Sequence, residues 1–261
     1  TQRIRLSSSV NVLSSDDPVR VVQQFSTLDL LSGGRAEMMA GRGSFTESFP
    51  LFGYDLHDYD SLFAEKLEML LAIRGSERIS WSGRHRPPID DRGIYPRPVQ
   101  DPLPVWVAIG GTPQSAVRAG HLGLPLALAI IGGEPARFAP FAQLFRRAAE
   151  EAGHGSLPFS INAHGFLADD SQAASDAAWP ATHLLMDRIG KERGFAPVTR
   201  EAYEAGHGLH GHTYTGSPQQ VIDKILYQHE IFGHDRFLMQ FIVGSLEHAK
   251  VMRAIELFGT E

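Results

Sequence analysis

Apolar residues along the chain follow two alternating patterns. Short runs such as Val105-Trp106-Val107-Ala108-Ile109 are continuous and of strand length. Between them lie longer stretches with apolar positions three and four apart, as at Leu62, Phe63, Leu67, Leu70 and Leu71, the spacing of one helix face. The first pattern predicts strands over residues 3–12, 36–41, 105–109, 126–131, 159–168 and 236–243. The second predicts helices over 19–31, 58–73, 113–122, 135–152, 171–193, 217–232 and 247–258. Local punctuation agrees: Asp16-Asp17-Pro18 offers a cap and a first-turn proline, and Ser32-Gly33-Gly34 a stop. Residues 75–104, rich in Pro, Gly and Arg, read as a long excursion, and the Gly/His-rich stretch before residue 217 reads as a loop.

Strands separated by helices imply parallel pairing through crossovers, hence an α/β fold. Continuous apolar strands fit a sheet covered on both faces. The alternation alone leaves a doubly wound sheet and a closed barrel both open. A barrel needs eight strands, six are predicted, and the strand pattern begins within a few residues of Thr1. Either the sheet is open or two βα units are absent from this sequence. No tandem repeat or domain boundary is visible, so residues 1–261 are expected to form one domain.

Composition narrows the function classes. With 261 residues and 43% hydrophobic content the chain can bury a sizeable core. A net charge of −6, with basic clusters only as short as Arg84-His85-Arg86 and Arg146-Arg147, argues against a nucleic-acid partner. The absence of cysteine excludes disulfides, thiolate zinc sites and cysteine nucleophiles. No apolar run approaches about 18 residues and no secretory leader is visible, so no membrane partner and a cytoplasmic location are expected.

In a parallel α/β fold, ligands bind at the carboxyl ends of strands. Glycines gather there, at Gly41 and Gly43, Gly110 and Gly111, and Gly132 and Gly133. Gly110-Gly111-Thr112-Pro113-Gln114-Ser115 reads equally as a phosphate cradle opening a helix and as an ordinary tight turn. Arg42 could offer its guanidinium fork to a phosphate, or simply pair with a loop carboxylate such as Glu47. His164, in mid-strand, is better read as a core or lining histidine than as a proton donor. His207, His210 and His212 are better read as a solvated loop than as a metal site. No Gly-x-Ser-x-Gly elbow, His-Glu-x-x-His helix or paired catalytic carboxylates are present, which points to a cofactor as the carrier of the chemistry.

Several segments together resemble the luciferase-like monooxygenases, the flavin- and deazaflavin-dependent relatives of bacterial luciferase. They are Arg5-Leu6-Ser7-Ser8-Ser9-Val10-Asn11-Val12 with Pro18; Leu31-Ser32-Gly33-Gly34-Arg35 with Ala40-Gly41-Arg42-Gly43; Tyr95-Pro96-Arg97-Pro98-Val99-Gln100 with Pro104-Val105-Trp106-Val107-Ala108; and Gly216-Ser217-Pro218. Ser14-Ser15-Asp16-Asp17-Pro18 and Gly43-Ser44-Phe45 resemble an uncharacterised bacterial subgroup.

The resemblance implies a TIM (β/α)8 barrel whose strands 1 and 2 precede this sequence, the six predicted strands being 3 to 8. It also implies a helical or loop insertion at about 190–216. At Ser9-Val10 it implies a cis non-proline peptide behind a flavin ring. At Ala40, Gly41, Arg42 and Gly43 it implies cofactor contacts, at Gly110, Gly111 and Thr112 a phosphate loop, and at Ile131, Gly132 and Gly133 a further cofactor border. FMN is expected over a deazaflavin, since no long basic track is present for a polyglutamyl tail. The implied activity is a monooxygenase or other oxidoreductase using reduced FMN and dioxygen on a small organic molecule. A separate flavin reductase and a homodimer are the implied partners. A non-catalytic flavin-binding homologue and a deazaflavin-dependent reductase or dehydrogenase are the alternatives, and a barrel holding a phosphorylated metabolite at the Gly110–Ser115 turn is a third reading. No metal is expected, and Arg42 and His164 are the candidate catalytic groups.

Overall fold

The computed structural model describes residues 2–43 and 45–261; Ser44, part of the Gly43-Ser44-Phe45 motif, lies outside them. The chain divides into two compact units, residues 1–109 and 110–261.

In the first unit, β1 (Leu6–Ser7) and β2 (Asn11–Val12) both pair in parallel with β3 (Ala36–Gly41), and β3 pairs in parallel with a later strand, Val105–Ile109. The single strand expected over 3–12 is thus two short ones. Leu6 lies opposite Ala36 and Asn11 opposite Ala40, so five steps along one strand match four along the other. The extra residue is a bulge. There the Ser8 hydroxyl accepts from Met39 N (3.2 Å) and donates to Met39 O (3.3 Å), standing in for the interrupted ladder. The Ser9–Val10 peptide within it is cis, as the family resemblance implies.

Helix α1 (Pro18–Ser32) joins β2 to β3. Its Asp17 cap accepts from Val19 N (2.9 Å) and Arg20 N (3.3 Å), and Gly33, at φ 67°, ends it. After the short α2 (Ser48–Phe52), helix α3 (Tyr59–Gly75) buries Leu62, Phe63, Leu67 and Leu70, the face its spacing predicts. The excursion over 75–104 contains a hairpin that its Pro/Gly-rich composition concealed. Strands β4 (Arg78–Trp81) and β5 (Ile89–Gly93) pair antiparallel, tied across by Arg78 Nε to Asp91 Oδ1 (2.8 Å). The unit ends on β6 (Val105–Ile109).

In the second unit, α4 (Pro113–His121), β7 (Leu126–Ala129), α5 (Ala139–Glu151) and β8 (Phe159–Leu167) follow in order. Then come α6 (Ser171–Arg193), α7 (Arg200–Ala205), β9 (Tyr214–Gly216), α8 (Pro218–Phe232), β10 (Arg236–Gln240) and α9 (His248–Thr260). β8 pairs in parallel with β7, β9 and β10. Strand β9 corrects the expectation of an unbroken loop before residue 217: Tyr214, Thr215 and Gly216 are fully or nearly buried beside Gly165, Phe166 and Leu167. The ladder bonds gained by pairing with an already ordered strand outweigh the weak local strand signal of this three-residue segment. Among the described residues no helix is long and apolar enough to cross a membrane.

Candidate active site

The strand-end glycines of the first unit have a local cause. A Cβ on Gly41 would meet the Val10 side chain at 3.0–3.1 Å, tighter than ordinary packing. A side chain at 41 would fit only if Val10 gave way by a few tenths of an ångström. Arg42 is ion-paired with Asp60 and lies 4.8 Å from the centroid of the Tyr59 ring. The salt-bridge reading of Arg42 thus holds, with the carboxylate supplied by helix α3 and not by a loop residue such as Glu47.

In the second unit, the turns after β6 and β7 converge on one ring that the sequence did not single out. Gly111, at φ 119°, lies against Cε1 of Phe138, and Gly133 against Cε2 of the same ring. Nothing stands within 4 Å of the Cβ position of Gly110 or Gly132, so both turns border open space. Thr112 caps α4 in extended conformation, with Pro113 in the first turn. These residues fit a cofactor phosphate: exposed backbone, room above it, and a helix start that favours an anion.

A cavity of about 280 Å³ lies at the carboxyl end of β8. Ile131, beside Gly132, forms part of its wall, together with His164, Tyr203, His212, Thr215 and Phe241. His164 points to the lined face because side chains alternate along β8: Asn162 and His164 are half-buried where their neighbours are buried. Burial pushes the His164 imidazole down, partly offset by its hydrogen bond with Gln240. His212 is pushed down by burial, then by Lys224 and His164. Among the described residues no Asp, Glu, Lys or Arg lines the cavity, and both imidazoles favour their neutral form.

The Gly/His-rich segment is not the solvated loop it was expected to be. Lys224, 1% exposed on α8, donates to Gly206 O (3.1 Å), His207 O (3.2 Å) and Thr213 O (2.6 Å). All three ammonium protons are used, and the segment closes around them. Its histidines go to three places: His207 is buried edge-on to Tyr203 (4.4 Å), His210 lies edge-on to Tyr227 (4.8 Å), and His212 faces the cavity. Among the described residues no three His, Asp or Glu side chains gather as a metal site.

Two buried histidines give the fold a pH dependence. Burial first, then Lys224, pushes His207 down to about 4, and burial first, then His229, pushes His234 down to about 4. The unfolded chain takes up a proton near 6.5 that the folded chain refuses until about 4. Stability should therefore fall as pH drops from about 6.5 to 4 and level off below, by about 3 kcal/mol per histidine. Urea midpoints across pH 7 to 3.5 test this, and a profile left equally steep in the double variant His207→Gln/His234→Gln would place its cause elsewhere.

The fold is shared with solved enzymes. The monooxygenase RslO1 from Streptomyces bottropensis superposes with a TM-score of 0.84 at 23% identity, covering 99% of this chain and 77% of that one. The oxygenating constituent of 3,6-diketocamphane monooxygenase from Pseudomonas putida, a type II Baeyer-Villiger enzyme solved with FMN, gives 0.72 at 18% identity, covering 99% and 78%. An F420-dependent glucose-6-phosphate dehydrogenase from Amycolatopsis mediterranei is 32% identical over 127 residues, 47% of this chain. That stretch spans 37% of the dehydrogenase, well under two thirds of its length. The model of the luciferase-like monooxygenases matches residues 1–235, and the chain belongs to that family.

Proposed function

We propose that this chain is a flavin-dependent oxidoreductase, and specifically a monooxygenase using reduced FMN and dioxygen on a small organic molecule. The observation that carries the reading is Ile131: it belongs to the exposed glycine turn of residues 131–133 and also walls a cavity free of ionised side chains. An exposed glycine turn thus adjoins a largely apolar chamber, the kind of surrounding that oxygen chemistry needs in order to exclude water.

Bound reduced flavin supplies two electrons, so that one atom of dioxygen enters the substrate and the other leaves as water. The chain's own residues bind and shield. Gly110, Gly111 and Thr112 would hold the phosphate, with Gly132 and Gly133 bordering the cofactor. In the first unit the same role falls to Ser9, Val10, Ala40, Gly41, Arg42 and Gly43, on the family pattern. A separate flavin reductase would supply the reduced cofactor, and a homodimer belongs to the same proposal.

Titration of the purified protein with FMN and with coenzyme F420, followed by oxygen consumption with reduced FMN, tests the reading. FMN binding is expected, and F420 binding alone would instead favour a dehydrogenase like the Amycolatopsis relative. Gly111→Val should weaken FMN binding at least tenfold, about 1.4 kcal/mol, because valine resists φ 119°. Unchanged affinity in that variant would remove the turn from the cofactor site.

A further inference from the structure

Two neighbouring strands set a histidine and a glutamine side by side at the wall of the cavity. In the parallel register of β8 and β10, His164 lies opposite Gln240, so both side chains leave the sheet on the same face. The two are hydrogen-bonded. Gln240 Nε2 donates to Ile242 O (3.0 Å), which holds the amide in place and leaves its carbonyl oxygen to the imidazole. A carbonyl oxygen only accepts, so the ring nitrogen beside Gln240 carries the proton. Burial keeps the ring neutral, and a neutral imidazole has a single N–H. The second nitrogen is therefore a lone-pair acceptor. Among the described residues none donates to it, and the ring lines the cavity.

An acceptor fixed in this way selects a donor. Phe166, Met186, Val198, Phe241 and Leu246 give the rest of the wall a hydrocarbon character. Among the described residues no carboxylate lines it, so an ammonium donor would lose its hydration without a counter-charge. The donor that remains is a hydroxyl on a compact hydrocarbon frame, for a volume of about 280 Å³. His212, the other imidazole in the wall, is held neutral by burial, Lys224 and His164, so it brings no charge to the site. Burial also makes His164 a weak base. Such a base takes a proton only from a hydroxyl whose oxygen readily keeps the electron pair, as conjugation allows in a phenol or an enol.

We infer that His164, with its tautomer set by Gln240, is the proton acceptor of this cavity, and that the occupant carries a conjugated hydroxyl of the phenol or enol type which donates to it. In the transfer the O–H bond breaks and an N–H bond forms on His164. The electron pair stays on the occupant, which becomes an electron-rich phenolate or enolate. Gln240 touches no ligand atom and is a positioning residue. Calling the occupant the substrate rests on the oxidoreductase reading; its hydrogen bond to His164 does not.

Long-range proton–nitrogen correlation spectra of the histidine rings in the full chain, without flavin or reductant, test the inference. His164 should show one N–H and one bare nitrogen. Added para-nitrophenol should shift the bare nitrogen, and para-nitroanisole, its methyl ether, should not. The phenol should also bind about three- to tenfold more tightly than the ether. His164→Leu should abolish that preference while leaving the affinity of the ether within about twofold. Gln240→Leu should let both tautomers appear and reduce the preference, and Gln240→Glu, which keeps an acceptor for the ring N–H, should restore it. The titration of the parent protein stands even where a variant fails to fold. A phenol that binds no better than its ether would overturn the donor class. Ring nitrogens that ignore the bound phenol would overturn the role of His164, and a single tautomer kept in Gln240→Leu would overturn that of Gln240. Preference for the phenol in a protein that ignores FMN would keep this inference and remove the cofactor proposal; FMN binding without the preference would do the reverse.

Discussion

Asp29→Asn should lower stability by about 3–5 kcal/mol and the melting temperature by roughly 10 °C, although the side chain changes by one atom. Asp29 is fully buried at the end of α1. One carboxylate oxygen accepts from Ala36 N (3.1 Å) and Gln100 Nε2 (2.7 Å), the other from Val99 N (2.9 Å) and Gln100 N (2.9 Å). A single side chain thus joins the helix end to the start of β3 and to the segment leading into β6. Four donors need two acceptor oxygens, and an amide offers one oxygen and points an N–H group at two of the donors. Thermal and urea unfolding give the comparison, with the exposed Asp91→Asn as reference, where the ion pair with Arg78 should matter by less than about 1 kcal/mol. A loss at Asp29 no larger than at Asp91 would show that water reaches the site.

Lys224→Met is the second large effect, expected to cost about 2–4 kcal/mol and to loosen one wall of the cavity. Methionine matches the volume of the lysine stem, so packing is largely kept while the carbonyls of Gly206, His207 and Thr213 lose their donor. Burial pushes the Lys224 ammonium down to about 7, and the three carbonyls are what favour keeping its proton. Because the same segment delivers His212 and Thr213 to the cavity, amide exchange over residues 206–213 should accelerate as stability falls. If the variant is as stable as the parent, the cost of burying the charge cancels its hydrogen bonds, and the segment is held by its packing alone.

Both effects turn on polar residues at core positions, and one of the two was legible. On α8, Val221, Lys224, Gln228 and Phe232 share the buried face, so a lysine at core spacing was a visible signal of an internal ammonium. Asp29 gave no such signal, because its donors at 36 and at 99–100 come from segments far along the chain.

The sequence by itself determined the succession of strands and helices, the α/β class, the helix start at Asp17-Pro18, and the family through its ordered motifs. These depend on apolar period, on caps formed by residues two to three positions away, and on short motifs, all of which are local. Tertiary structure alone decided the bulge that splits the first strand, the pairing of β9 with β8, the choice of Asp60 as the partner of Arg42, and the role of Phe138 between two glycine turns. It also decided that His164, Tyr203 and His212 line one cavity. The physical reason is the same in each case: the deciding contact joins residues that no local period relates, and its free energy exists only once neighbouring elements have packed.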